Sequence, residues 1–177
     1  NNLRLAVATA ALLFAGLTVG SAHADVTGLE MDVVDLVNAE RASLGRSPLG
    51  TDVRIFDAAE GHSEWMAANN VLSHTGAGAS AGCDRIFAAG YPWTTWGGTL
   101  AAGQETPEHV VLGRPCDGYC SSACMAGRCD GWQQSATHWN LLMSTAYRHI
   151  GVGHVASTDP DALYVDWWPV DLAASAS

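Results

Sequence analysis

The sequence predicts an α+β fold, with helices covering a small, mainly antiparallel sheet. Three observations predict it. Apolar stripes at helical spacing dominate residues 29–70. β-rich runs begin after residue 92 and alternate with short helical pieces. Two such runs close the chain and are joined by a polar turn, as in neighbouring antiparallel strands.

The elements follow in order. Residues 1–24 carry Arg4 as their one charge, then the run LAVATAALLFAGLTVG, and end on Ala22-His23-Ala24. A short apolar run before a small-x-small site reads as a secretory signal peptide rather than a membrane anchor. Residues 25–172 then form one domain, about 150 residues being enough for a single core. Leu29, Val33, Leu36, Val37 and Leu44 give the first helix, which Gly45 ends. Asp52 caps a second, from about Val53 to Asn70, whose stripe is Ala58, Ala59, His62, Trp65, Met66 and Asn69. A small-residue loop follows, then a short helix over 84–89 that stops at Gly90-Tyr91-Pro92.

Trp93 to Ala102 reads as extended, with Gly97-Gly98 as a weak point. Thr106-Pro107-Glu108 starts a further helix carrying Val110, Val111 and Leu112. A Cys- and Gly-rich insertion spans 113–131. Ser135 can cap a helix that places His138, Trp139, Leu141 and Leu142. Strands are expected over 149–155 and 162–170, around the turn Ser157-Thr158-Asp159-Pro160, and residues 173–177 as a disordered tail.

Composition narrows the partners. The net charge is −10 and every basic residue besides His is Arg. Such a surface argues against nucleic acid and against anionic membrane surfaces, and no stable membrane insertion is expected once the leader is cleaved. All five Cys lie in the exported part. Cys116, Cys120, Cys124 and Cys129 crowd together and Cys83 stands apart. In an oxidising compartment two local disulfides are the default, though the spacing also suits zinc. The odd Cys is a free thiol, a bridge from Cys83 into the cluster, or an intermolecular bond.

Eight short motifs occur in a telling order: LVNAER (36–41), SPL (47–49), HSEWMA (62–67), LSHTG (72–76), DRIFAAGYPW (84–93), AAGQETPEHVV (101–111), GWQQSATHWNLL (131–142) and HIGVGH (149–154). Together they resemble a bacterial member of the CAP superfamily, the SCP domains of cysteine-rich secretory proteins, antigen 5 and pathogenesis-related proteins. The resemblance implies a three-layer α-β-α sandwich, export to a periplasm or the cell exterior, and a cleft holding His and Glu side chains. In several members the cleft histidines bind a divalent metal such as zinc. Carried over by motif, the cleft histidines are His74 and His138. The family's cleft Glu falls on Gly98 within GGTLA, a departure that removes a carboxylate from the implied site. The last His of the family's eukaryotic pattern has no clear equivalent.

Two imidazoles are fewer than the three protein ligands zinc usually takes, so a metal at His74 and His138 requires Glu105, Glu108 or Asp117 to join them. His62 lies on an apolar stripe, where a packed histidine that orients a neighbour is commoner than a ligand. Ser73 beside His74 and Ser135 near His138 are candidate nucleophiles only if hydroxyl, imidazole and an orienting group meet. Trp93, Trp96, Trp132, Trp139, Trp167 and Trp168 fall on segments expected around the cleft, Trp139 beside His138 in particular. Trp167 and Trp168, consecutive in a strand, face opposite sides. The expectation is a secreted binding domain without catalysis, holding a small apolar molecule, a cell-wall glycan or a protein around His74, His138, His62 and Trp139. The alternative is a secreted metal-dependent hydrolase or peptidase using His74 and His138.

Overall fold

The computed structural model describes residues 26–113 and 130–176. Residues 1–24, expected as a leader, and Asp117, Cys116, Cys120, Cys124 and Cys129 lie outside them. Helix α1 spans Gly28–Ser43. Its first turn is closed reciprocally: the Thr27 amide donates to Glu30 Oε2 at 2.6 Å and the Glu30 amide to Thr27 Oγ1 at 3.4 Å. Val33, Val34 and Val37 are its buried face, while Leu29 and Leu44, expected on the stripe, are exposed at the two ends. Gly45, at φ +68°, takes the left-handed turn that ends the helix. After the two-residue strand β1 (Gly50–Thr51), α2 runs Val53–Asn69, capped by the Asp52 carboxylate. Helix α3 (Gly82–Ala88), strand β2 (Trp93–Ala102), helix α4 (Pro107–Leu112) and helix α5 (Ala136–Leu142) follow. Strands β3 (His149–Val152), β4 (Val155–Ala156) and β5 (Asp166–Ser175) complete the order.

The sheet order is β1-β3-β5-β2, and β4 also pairs with β5. Only β1 and β3 run parallel among the described pairs. The expected strand over 149–155 is broken at Gly153-His154, and the second one begins at Asp166 instead of 162 because residues 162–165 form an exposed connection with Leu163 and Val165 outside.

The expected disordered tail is the larger correction. Residues 173–175 belong to β5, which sits between β3 and β2 with Leu172 and Ala173 fully buried. Ala and Ser have low strand propensity, which hid the strand. Between two neighbouring strands and under helices on both faces, small side chains are what fits.

The two faces of β5 define the layers. Trp168, Val170 and Leu172 join Val33, Val37, Val110, Val111 and Leu142 in the larger cluster, beneath α1, α4 and α5. Trp167 packs with Met66 and Ala102, and Ala173 with Ile55, Ala58, Ile86 and Tyr91, beneath α2 and α3. Trp167 and Trp168 therefore face opposite sides, as expected, and the architecture is a three-layer α-β-α sandwich.

Helix α2 approaches the sheet at backbone distance. A Cβ on Gly151 would lie 2.3 Å from the Ile55 carbonyl carbon, and one on Gly153 would lie 2.6 Å from that of Ala59. Because the obstacle is helix backbone, Gly151→Ala must push α2 off β3. It is expected to cost about 3 kcal/mol, near the upper end for overpacking, and to lower the unfolding midpoint by about 10 °C. Thermal unfolding followed by circular dichroism measures this, and an unchanged midpoint would mean that α2 slides without penalty.

Candidate functional site

The β2 edge faces a cavity of about 260 Å³. Leu72 from the segment after α2, Leu100 on β2, Trp132 and Tyr164 form apolar and aromatic walls, and Gln104, Ser135 and His138 bring polar atoms. Trp132 is locked by its indole N–H, which donates to the Leu100 carbonyl at 3.1 Å. Gln104 is held from two sides. Its amide nitrogen donates to the Asp130 carbonyl at 3.0 Å, and its backbone carbonyl accepts from the Trp168 indole at 2.7 Å. Its side-chain oxygen is buried without a hydrogen-bond partner among the described residues, an acceptor placed for a donor.

His138 stands in the first turn of α5. Burial lowers its pKa, and the charge of His74 lowers it further. His138 lines the cavity, whereas His74 is not among the cavity-lining residues. His74 itself is exposed. Ser135 stands at the N-cap position of α5, but its hydroxyl makes no capping hydrogen bond, contrary to expectation. Instead it lines the cavity with His138. The Ser73 hydroxyl donates to the Thr75 carbonyl at 3.0 Å, a local turn, and forms no pair with His74.

His62 takes the positioning role. It is buried on α2, stacked on Trp65, with Nε2 2.8 Å from the Ser73 carbonyl oxygen. A carbonyl only accepts, so Nε2 carries the proton and Nδ1 the lone pair. Burial first, and then the Arg85 charge, push the His62 pKa down to about 4, which keeps the ring neutral. Arg85 Nη1 donates to the His74 carbonyl at 3.3 Å and to that of Ser80 at 2.9 Å. The backbone at 73–74 is thus pinned by one buried and one half-buried side chain, which fixes where the His74 imidazole starts. Trp139 is placed elsewhere than expected: it packs against the larger core cluster and is not among the cavity-lining residues. Among the described Trp residues, Trp132 lines the cavity, whereas Trp93 and Trp96 pack against the α3 cluster.

The structure gives Gly98 a physical reason. Gly98 pairs with Asp171 across β2 and β5, and a Cβ there would lie 2.9 Å from Asp171 Oδ1. The space a side chain would need is filled by a neighbouring carboxyl group. Asp171 is buried, its Oδ2 lacks a hydrogen-bond partner among the described residues, and burial pushes its pKa up to about 7, against the pull of Arg85. No signal in the sequence marked it, since a lone Asp in an apolar run carries no motif.

The described donors do not make a three-ligand zinc site. Among the described residues no three His, Cys, Asp or Glu side chains converge. Glu105 borders a separate depression beside Tyr164 and Asp166, and Glu108 lies exposed on α4. Cys83 is a half-buried free thiol among the described residues. No described helix is long and apolar enough to cross a membrane.

Comparison with known proteins bears on the whole arrangement. The model of the CAP cysteine-rich secretory protein family matches residues 34–168. The protein YkwD of Bacillus subtilis (strain 168) is 31% identical over 140 residues, covering 79% of this chain and 48% of that protein. The chain thus spans about half the length of that relative. An extracellular protein containing an SCP domain from Bacillus anthracis superposes with a TM-score of 0.62 at 22% identity, over 84% of this chain and 41% of that one. An outer surface protein from Borrelia burgdorferi gives a TM-score of 0.64 at 17% identity, over 88% of this chain and all of that one.

Proposed function

Because the chain belongs to the CAP cysteine-rich secretory protein family, we propose that it is an exported binding domain that takes a small, partly apolar ligand at the β2 edge without transforming it. The observation that carries the reading is the cavity itself. Its aromatic and aliphatic walls, with a few polar atoms at Gln104, Ser135 and His138, have the make-up of a small-molecule site. The extracellular and outer-surface placement of the two similar structures supports export. His138 lacks a described carboxylate to orient it or to complete a metal site, which weighs against the hydrolase alternative.

Two probes of the implied classes test this, N-acetylglucosamine for a glycan and octanoate for an apolar chain, each titrated against intrinsic tryptophan fluorescence. Trp132 in the cavity wall is the reporter. A saturable change with one probe, abolished in the cavity-filling variant Leu100→Trp, is expected. Silence with both would overturn a small-ligand site in favour of a protein partner. Hydrolysis of a peptide or glycan substrate, lost in His138→Ala, would overturn the absence of catalysis.

A further inference from the structure

Three of the five described arginines meet between the C-terminal ends of α1 and α5, away from the cavity of His138. Arg41 is buried. Its Nε donates to the Ser47 carbonyl at 2.9 Å, and its Nη1 to those of Leu142 and Ser144 at 2.8 Å each. Arg46 donates to the Met143 carbonyl, and Arg148 to those of Thr145 and Tyr147. Every one of these acceptors is a neutral carbonyl. The described ion pairs are Arg54 with Asp52 and His154 with Asp166, so none involves this cluster. The charges acting on Arg41 are those of Arg46 and Arg148, and both repel it.

The two helix ends offset part of this. Each C-terminus carries roughly half a negative charge, so three guanidinium groups leave an excess of about two positive charges. A chain of net charge −10 has carboxylates in excess, and none of the described ion pairs brings one here. Instead the cluster borders a pocket of about 470 Å³ lined by Arg41, Ser47, Pro48, Thr145, Tyr147 and Arg148. Arg41 Nη2 makes no hydrogen bond among the described residues, and Ser47 and Thr145, which carry hydroxyls, line the same pocket.

We propose that this pocket is an oxyanion site that takes a phosphate dianion. Two guanidinium groups supply charge-assisted donors, and the hydroxyls complete a tetrahedral ligand. The shared chemistry fits either the free phosphate ion or a phosphate group on a larger molecule.

The test titrates inorganic phosphate and glycerol 3-phosphate into the ¹⁵N-labelled chain, with chloride holding the ionic strength constant. Saturable shifts at the amides of residues 145–149 are expected. Arg148→Gln, an exposed change that leaves the core intact, is expected to weaken binding about tenfold, the loss of one charge-assisted contact. Arg46→Gln should weaken it less. Equal affinity for both probes identifies the free ion, and tighter binding of glycerol 3-phosphate identifies a borne phosphate. Shifts that do not saturate, that chloride alone reproduces, or that survive unchanged in both variants would overturn the site.

Discussion

A chain ending at Asp171 is expected to lose its cooperative fold. Leu172 pairs with Gly97 on one side and Ile150 on the other, and Ala173 pairs with Trp96 and His149. The Ala173 carbonyl also accepts from the Arg148 amide at 3.0 Å, and the Ala174 carbonyl from the Thr94 hydroxyl at 3.1 Å. Removing the end of β5 from Leu172 onward would strand backbone groups of β2 and β3 beneath α2 and α3 and would open the core against Ile55, Ala58 and Tyr91. Each buried group left unpaired costs about 1–3 kcal/mol. Several of them together exceed the roughly 5–15 kcal/mol that separates a folded domain from its unfolded chain. Deleting Ala176 and Ser177 alone, beyond the end of β5, is expected to change nothing. Circular dichroism melts of both truncations decide the matter, and a cooperative transition for the shorter chain within a few degrees of the full one would sink the prediction.

The second large effect concerns Asp171. Its carboxyl, ordinarily near 3.8, is pushed up to about 7 by burial, with Arg85 opposing. A folded-state pKa above the unfolded one gives stability that is complete below the unfolded value and is lost as pH rises through the folded one. His62 runs the other way. Its pKa falls from 6.5 to about 4, so its share is complete above 6.5 and is lost as pH falls through about 4. Between these limits the unfolded chain carries a proton on the imidazole and the folded chain carries one on the carboxyl. The proton count is the same, so these two groups largely cancel in the pH dependence of the native protein.

Asp171→Asn breaks that balance. The variant keeps an uncharged side chain of the same shape at every pH. Its stability advantage over the native chain is expected to be near zero at pH 4 and to grow up to pH 7. A shift of roughly three pKa units corresponds to up to about 4 kcal/mol. Glu60, whose pKa burial and Glu30 raise to about 7, titrates in both chains and drops out of the comparison. Denaturant unfolding at pH 4.5 and pH 8 measures it. An Asn variant less stable at pH 8 would mean that Asp171 is ionised and serves as the partner of Arg85.

Much of the fold was legible in local chemistry. Thr27, Asp52 and Thr106 cap helices by accepting from nearby amides, and Gly45 ends α1 in the left-handed region. These signals act over three or four residues, so a sequence displays them. The motif order pointed to His138, which lines the cavity. What stayed hidden depends on neighbours distant in the chain. Residues 173–175 become strand because β2 and β3 flank them. Gly98 becomes intelligible through Asp171, which stands opposite only after pairing. Gln104 becomes a cavity wall because Asp130 and Trp168 hold it. Trp139 sits one residue from His138, yet helical geometry turns it toward the core.

The place of β5 also sets a clock. The strand that β2, β3 and β4 all join is the last one in the described chain, so none of those three antiparallel ladders can form until residues 166–175 have been made. Synthesis proceeds from the N-terminus, and until then the helices have no sheet to cover beyond the short parallel β1–β3 pair. Contacts this far apart in sequence also close slowly. Any delay before residues 166–175 join the sheet leaves the apolar strands open to proteolysis.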